Sequence, residues 1–232
     1  MRLYHIFKTL LPNFSLTPSA RVIAGQLRKP SGLLAKRVGQ KMNESNRHLY
    51  ALAISQLNIK PADHVLEIGF GNGKFFEDIF AKADNVKICG VDFSAEMVKE
   101  ANKNNKSRVK SGQLNLRLGT SENLPYKDDT FDHIICINVI YFWQFPEAHF
   151  KELLRVLKPG GRLYLGIRPK EILAQLPFSQ HGFHLLETIQ WTEMLEDIGY
   201  TFVDSITQDE PPTHVNGKAF PMKGTCLIVE KN

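Results

Sequence analysis

The chain has 232 residues, 43% of them hydrophobic, and a net charge of +5. This length and apolar content fit one large α/β domain with an appended segment and exclude a disordered or fibrous chain. No apolar stretch approaches the ~20 residues that a membrane-spanning helix needs. The three cysteines lie far apart, which favours reduced thiols over a disulfide framework or a metal site. These features predict a cytoplasmic protein with no membrane span and no bound metal.

Positive charge is concentrated at the start of the chain, where residues 1–48 hold nine lysines and arginines but one acid, Glu44. Such an arm either binds RNA, DNA or anionic lipid, or covers an active site with its charges in solvent. We favour a cover, because the arm lacks the dense basic runs and interleaved aromatic residues of single-strand binders. The expected division is a basic cap over residues 1–45 and one domain over residues 46–232, with a helix at residues 43–57.

Residues 65–73 (VLEIGFGNG) are typical of a buried strand that runs into a glycine turn and then a helix. Gly69, Gly71 and Gly73 lack a Cβ, so the backbone can adopt positive φ and approach a ligand closely. Glu67, just before the turn, would repel a pyrophosphate but suits a ligand with an amino group or a cationic sulfur. The dinucleotide-binding spacing G-x-G-x-x-G also fails, because its third glycine would fall at Lys74.

A second apolar strand, at residues 86–92, ends in Asp92. A carboxylate at such a strand end can accept hydrogen bonds from both hydroxyls of a ribose. The next residues begin a helix with Ser94 as the N-cap and Met97 in the third position. Phe93 and Met97 are then placed to wall an adenine ring, although methionine is also a common core filler.

Two further strands end in polar residues. A strand at residues 114–118 leads into Thr120 and Ser121, within the segment GTSENLPY. A nearly continuous apolar run from residue 131, typical of a central parallel strand, leads to Asn138. Tyr141 and Trp143 follow it, and because aromatic faces attract cations and wall apolar pockets, both are candidates for a substrate pocket.

The last third of the chain offers four more candidates for the substrate pocket. Arg168, with Lys170, lies at the tip of the fifth strand, where it either meets an acidic acceptor or faces solvent. His181 and His184 lie in the next segment and suit a lid. With no cysteine or carboxylate close by, these two histidines are not expected to bind a metal.

The series of motifs resembles the class I S-adenosylmethionine-dependent methyltransferases over about residues 46–169. The glycine turn is similar to their motif E/D-x-G-x-G-x-G, GTSENLPY to G-D-A-E-x-L-P-F, and LKPGG at residues 157–161 to L-K-P-G-G-x-L. The resemblance implies a doubly wound Rossmann-like α/β fold with seven mostly parallel strands, an antiparallel last strand, helices on both faces and an N-terminal helical cap. The final strands are expected at residues 202–206 and 225–230, after a helix that Gly199 terminates.

The resemblance also implies a cofactor, S-adenosyl-L-methionine, with S-adenosyl-L-homocysteine as its product. The implied cofactor-binding residues are Glu67, Gly69, Gly71, Gly73, Asp92, Phe93, Met97, Thr120, Ser121 and Asn138. Asn138 matches the family position that faces the transferable methyl group. Thr120 departs from the family, which has an acid there for the adenine amino group, so adenine recognition either depends on backbone groups or is weaker. Glu122 is either a substitute acceptor or, as we favour, a solvated surface acid.

The implied activity is direct in-line methyl transfer to a small-molecule acceptor, most like the quinone-biosynthesis C-methyltransferases. The family's N-P-P-Y motif for nucleic-acid amines is absent, since the chain reads NVIY at residues 138–141. An RNA methyltransferase that uses the basic arm and a non-catalytic cofactor-binding regulatory domain are the alternatives. The sequence identifies no catalytic base, acceptor atom or oligomeric state.

Overall fold

The computed structural model describes residues 19–215 and 218–232 and has one seven-stranded sheet, in the order β3-β2-β1-β4-β5-β7-β6. Strands β1 to β5 run parallel, and β7 lies antiparallel between β5 and β6. This arrangement confirms the fold expected from the motifs. The strands are β1 His64–Ile68, β2 Lys87–Asp92, β3 Leu114–Leu118, β4 Phe131–Ile137, β5 Leu157–Ile167, β6 Tyr200–Val215 and β7 Lys218–Lys231.

Helices cover both faces of the sheet. Within the described ranges, none of them is long and apolar enough to cross a membrane. They are α1 Ala20–Arg28, α2 Ala35–Gln56, α3 Phe76–Phe80, α4 Ala95–Asn104, α5 Lys106–Lys110, α6 Pro146–Val156, α7 Lys170–Leu173 and α8 Thr188–Ile198, with single 3₁₀ turns at Gly32–Leu34, Ile140–Phe142 and Pro177–Gln180.

Strand β4 shows why its sequence is apolar throughout. Side chains of a strand alternate between the two faces of a sheet. Ile134 and Cys136 belong to the core under α6 and α8, whereas Ile135 and Ile137 belong to the core under α2, α3 and α4. Both faces of this central strand are therefore buried, as in other parallel sheets.

The strand order reverses between β1 and β4. The chain builds β1, β2 and β3 outward and then returns to place β4 on the other side of β1. In open parallel sheets a crevice forms at the carboxyl ends of the strands at this point. Gly69, after β1, and Asn138, after β4, both lie there, so the topology brings the two motifs together.

The helix predicted at residues 43–57 begins earlier, at Ala35, and the expected boundary between residues 45 and 46 falls inside it. Val38 and Gly39 are buried and continue the buried face of this helix toward its start. The exposed lysines and arginines around them made this part of the helix hard to recognise in the sequence. A Cβ on Gly39 would lie 3.1 Å from Met97 Sδ, so α2 and α4 pack closely here. The part of the predicted cap before Ser19 lies outside the described residues.

The last two strands extend well beyond residues 202–206 and 225–230. Pro211 and Pro212 lie within β6, at a register shift between Glu210 and Thr213. Strand β6 is at the edge of the sheet. A bulge there tolerates proline, because its residues donate no backbone hydrogen bond to the neighbouring strand that proline would remove. The predicted caps are confirmed, since Ser94 Oγ accepts a hydrogen bond from the Met97 amide and Gly199 ends α8 with φ of 115°.

Candidate active site

Two adjoining cavities open at the carboxyl ends of β1 and β4. The larger, of about 290 Å³, lies between the glycine turn, the end of β2 and helices α1 and α2. The smaller, of about 90 Å³, lies between α1, α2 and the segment after β5. Residues of both cavities are Leu27, Met42, Asn46, Asn138 and Phe142. The two cavities therefore share a wall, and molecules in them would lie side by side.

The three glycines of the turn have different environments, although all have positive φ. A Cβ on Gly69 would lie 2.5 Å from Val139 Cγ2, and one on Gly73 would lie 2.7 Å from Asn105 Nδ2. A Cβ on Gly71 would meet open space, and Gly71 lines the larger cavity. Gly73 does not line that cavity, because it packs the turn against α3 and α4. Gly69 and Gly71 both line the larger cavity, and of the two only Gly71 has open space beside it.

Asp92 joins the glycine turn to the start of α4. Its Oδ2 accepts a hydrogen bond from the Gly71 amide at 2.9 Å, and its Oδ1 accepts one from the Ser94 amide at 2.8 Å. Burial raises the pKa of Asp92 to about 6, although these two hydrogen bonds lower it. The carboxylate is thus ionised at neutral pH, lines the larger cavity and has further lone pairs for a ligand.

Glu67 lies beneath the larger cavity and does not line it. Its side chain is buried, and the Tyr50 hydroxyl donates a 2.8 Å hydrogen bond to its Oε1. Burial raises the pKa of Glu67 to about 7, the bond from Tyr50 lowers it, and Asp92 raises it. Tyr50, which sequence reasoning missed, lines the cavity and separates Glu67 from any ligand. Glu67, which was expected to bind the cofactor, therefore does not line the cavity, and Tyr50 lies between them.

The expected apolar walls, Phe93 and Met97, both line the larger cavity. Lys29 Nζ lies 5.3 Å from the centre of the Phe93 ring. Asn72, within the glycine turn, also lines the cavity, and its buried Oδ1 has no hydrogen-bond partner among the described residues. A buried acceptor of this kind is costly unless a ligand donates to it. Sequence reasoning passed over Asn72, because a residue between two glycines is usually read only as part of the turn.

Thr120 and Ser121 line the far end of the larger cavity together with His149. Ser121 Oγ lies 2.7 Å from His149 Nδ1, and the His149 ring stacks on Trp143 at 4.3 Å between centres. Burial lowers the pKa of His149 to about 4, although Glu122 raises it. The ring is therefore neutral at pH 7. Sequence reasoning missed His149, whose single signal is a polar residue on the buried side of α6.

Asn138 occupies the shared wall in an unfavourable conformation. Its φ is 57°, which costs on the order of 1–3 kcal/mol for a residue with a side chain. Its Nδ2 donates to Asn46 Oδ1 at 2.9 Å, and its Oδ1 accepts a hydrogen bond from the Tyr141 hydroxyl. These bonds fix the amide between the two cavities.

The smaller cavity is walled mainly by apolar side chains. Arg168 lines it, but its guanidinium pairs with Glu210 at 2.6 Å and donates to the backbone oxygens of Ser45 and Lys223, both at 3.0 Å. Arg168, predicted either to meet an acidic acceptor or to face solvent, is therefore buried and engaged within the protein. Apolar residues of this cavity are Leu27, Val38, Met42, Phe142, Leu173, Leu176, Phe178, Phe183 and Met222.

The two histidines expected in a lid, His181 and His184, are exposed and line neither cavity. The backbone amide of His184 donates to the Tyr141 carbonyl at 2.8 Å. Phe183, which precedes His184, lines the smaller cavity. Lys170 pairs with Glu187 at 3.5 Å. Within residues 19–215 and 218–232, no three potential metal ligands cluster.

Comparisons with known proteins identify the family and the fold. A family model for methyltransferase domains matches residues 66–165. The uncharacterized methyltransferase YdaC of Bacillus subtilis is 32% identical over 133 residues, which are 57% of this chain and 71% of that protein. The ubiquinone/menaquinone biosynthesis C-methyltransferase UbiE of Geotalea daltonii is 32% identical over 114 residues, which are 49% of this chain and 48% of that protein.

The fold recurs among solved structures. A chain from the complex of the Trm112 methyltransferase activator of Haloferax volcanii has a TM-score of 0.73 and 19% identity, covering 85% of this chain and 94% of that one. An identity this low supports the fold alone, whereas the sequence relatives support the family. The chain belongs to the methyltransferase domain family and is a class I S-adenosylmethionine-dependent methyltransferase.

Proposed function

We propose that this enzyme methylates a small, apolar acceptor by direct in-line displacement, with the cofactor in the larger cavity and the acceptor in the smaller one. The observation that carries the proposal is the wall that the two cavities share at Asn138. Two reactants bound in adjoining cavities beside this residue can be held with the acceptor atom against the methyl group, which removes much of the entropic cost of their meeting.

The residues of the larger cavity fit S-adenosylmethionine, which supplies a methyl group on a cationic sulfur. Asp92 is suited to the ribose hydroxyls, and the space beside Gly71 admits the chain that carries the sulfur. The unpartnered Oδ1 of Asn72 suits an ammonium donor. Phe93 and Met97 suit the adenine faces.

The adenine edge is expected to meet Ser121 rather than an acid at position 120. Neutral His149 holds the Ser121 hydroxyl through their 2.7 Å contact, and Trp143 fixes the histidine ring by stacking. A neutral pair of this kind compensates for the missing family carboxylate at Thr120, because hydroxyl and amide groups suffice to hydrogen-bond a neutral base.

The smaller cavity suits a small acceptor. An engineered apolar cavity of ~150 Å³ holds benzene, so a cavity of about 90 Å³ takes a single ring only if it opens somewhat. No histidine or carboxylate is found among the described residues that line it. Tyr141 is no base at neutral pH, since burial raises its pKa far above the usual value. We therefore expect an acceptor atom that needs no protein base, such as an electron-rich ring carbon or an acidic phenol.

The test combines cofactor binding with turnover. The wild type is expected to bind S-adenosylhomocysteine and to methylate members of a panel of quinols, phenols and thiols, measured by mass spectrometry. Val38→Phe narrows the smaller cavity, so turnover should fall while S-adenosylhomocysteine affinity stays unchanged. Val203→Phe, which adds the same atoms at an exposed position on β6, is the control.

Two results would contradict the proposal. Methylation of RNA in place of every panel member would assign the basic arm to a nucleic-acid substrate. Tight S-adenosylhomocysteine binding without turnover of any acceptor would indicate a regulatory domain that no longer transfers a methyl group.

A further inference from the structure

The outer side of the cap combines positive charge with exposed apolar side chains. Leu33, in the 3₁₀ turn between α1 and α2, has a relative exposure of 101%, and Val22 on α1 has 53%. No aspartate or glutamate occurs before Glu44. We call this region the cap surface; its exposed residues are Arg21, Val22, Lys29, Leu33, Lys36 and Arg37.

The two sides of the cap differ consistently along α1 and α2. Ile23 and Ala24 are buried on the inner side of α1, one and two residues after the exposed Val22. Leu27 and Met42 also face inward and line both cavities. The cap surface is thus the outside of the cover over the site, and its apolar residues are not needed to hold the cover in place.

The sequence before the described residues continues the same chemistry. Residues 1–18 contain Arg2 and Lys8, no acid, and a high proportion of leucine, isoleucine, tyrosine and phenylalanine. A segment with basic and large apolar residues together is the composition of interfacial membrane binders.

We propose that the cap surface docks on an anionic lipid bilayer. A phosphate-rich polyanion such as RNA is held by arginine and lysine contacts to its backbone and offers nothing to a fully exposed leucine. A bilayer interface takes both groups, because anionic head groups attract the cations and the acyl boundary takes up the leucine. Docking would place the cover of the apolar acceptor cavity at the lipid surface. The inference does not depend on methyl transfer, since binding to vesicles is measured without turnover.

The experiment is flotation of the full chain with vesicles of phosphatidylcholine and with vesicles of phosphatidylcholine mixed with phosphatidylglycerol. We expect binding to the anionic vesicles that weakens as salt is added. The double variant Arg21→Gln with Lys36→Gln should bind about 25-fold more weakly, about fivefold for each charge. Leu33→Ser should bind about tenfold more weakly, because it removes one buried side chain from the interface.

Matched variants elsewhere on the surface serve as controls. Ile189→Ser removes an apolar side chain that is 61% exposed on α8, and the double variant Lys106→Gln with Lys110→Gln removes two exposed charges from α5. Both should float like the wild type. Equal binding to both vesicle types, no binding to either, or unchanged binding of Leu33→Ser would overturn the proposal. Retention of RNA without flotation would assign the cap surface to nucleic acid instead.

Discussion

A methyl group added at Gly71 should weaken cofactor binding while leaving the fold intact. Gly71 has φ of 57°, and its Cβ would meet no protein atom within 4 Å. Alanine in this conformation costs about 1–2 kcal/mol, which lowers the melting temperature of a chain this size by roughly 2–8 °C. The new methyl group also occupies space that the proposed ligand needs. Crowding of this kind costs about 1–3 kcal/mol, so S-adenosylhomocysteine affinity should fall at least about fivefold.

Gly112 provides the matched control, because it has φ of 75°, open space around its Cβ and a position outside the larger cavity. Gly112→Ala should lose similar stability and keep wild-type affinity. Gly69→Ala should unfold more readily than either, since its Cβ would lie 2.5 Å from Val139. Calorimetric titration and thermal denaturation of the three variants separate the two effects. Affinity of Gly71→Ala within about twofold of that of Gly112→Ala would refute a ligand beside this glycine.

Three further outcomes follow from the site. The folded pKa of Glu67, about 7, exceeds the ordinary value of 4.5, so its contribution to stability is greatest at acidic pH and declines by about 3 kcal/mol as pH rises to about 7. The free energy of unfolding, measured by urea denaturation, should therefore differ less between pH 5 and pH 8 for Glu67→Gln than for the wild type. Equal differences in the two proteins would contradict a raised pKa at Glu67. Asp92→Asn should weaken S-adenosylhomocysteine binding by at least about 1.5 kcal/mol in a calorimetric titration, the size of a charge-assisted hydrogen bond. His149→Phe keeps a ring beside Trp143 but frees Ser121, so affinity should fall about fivefold; unchanged affinity would remove Ser121 from the proposed adenine contact.

The architecture was predictable because each strand motif carries its own local signal. The glycine turn, the acid after β2 and Asn138 after β4 all lie at carboxyl ends of parallel strands, so topology alone gathers them at the point where the strand order reverses. The caps at Ser94 and Gly199 were equally local. The helix start at Ala35 was not, because its buried stripe depends on a distant partner, Met97.

The chemistry of the site was harder to predict, since it depends on residues distant in sequence. Tyr50 comes from α2 and covers Glu67 only because that helix packs against β4, β5 and β7 of the same sheet. In the sequence, His149 is an isolated polar residue on the apolar face of α6. Its role can be recognised only from its contacts with Ser121 and Trp143 in the folded chain. Arg168 looked free for an acceptor because Glu210, its partner, lies 42 positions later on an edge strand whose length was underestimated.

Four unfavourable local arrangements lie at or beneath the larger cavity. Asn138 holds a positive φ, Asn72 buries an acceptor without a donor, and Glu67 and Asp92 bury carboxyl groups whose pKa values burial raises to about 7 and about 6. Each arrangement costs stability in the protein alone. A ligand with a positive charge and an ammonium donor relieves three of the four costs, because it favours both carboxylates and satisfies the Asn72 oxygen. These costs are the physical reason to place a cationic nucleoside in the larger cavity rather than a pyrophosphate. A pyrophosphate would add negative charge near two buried carboxyl groups and raise the cost of ionising them.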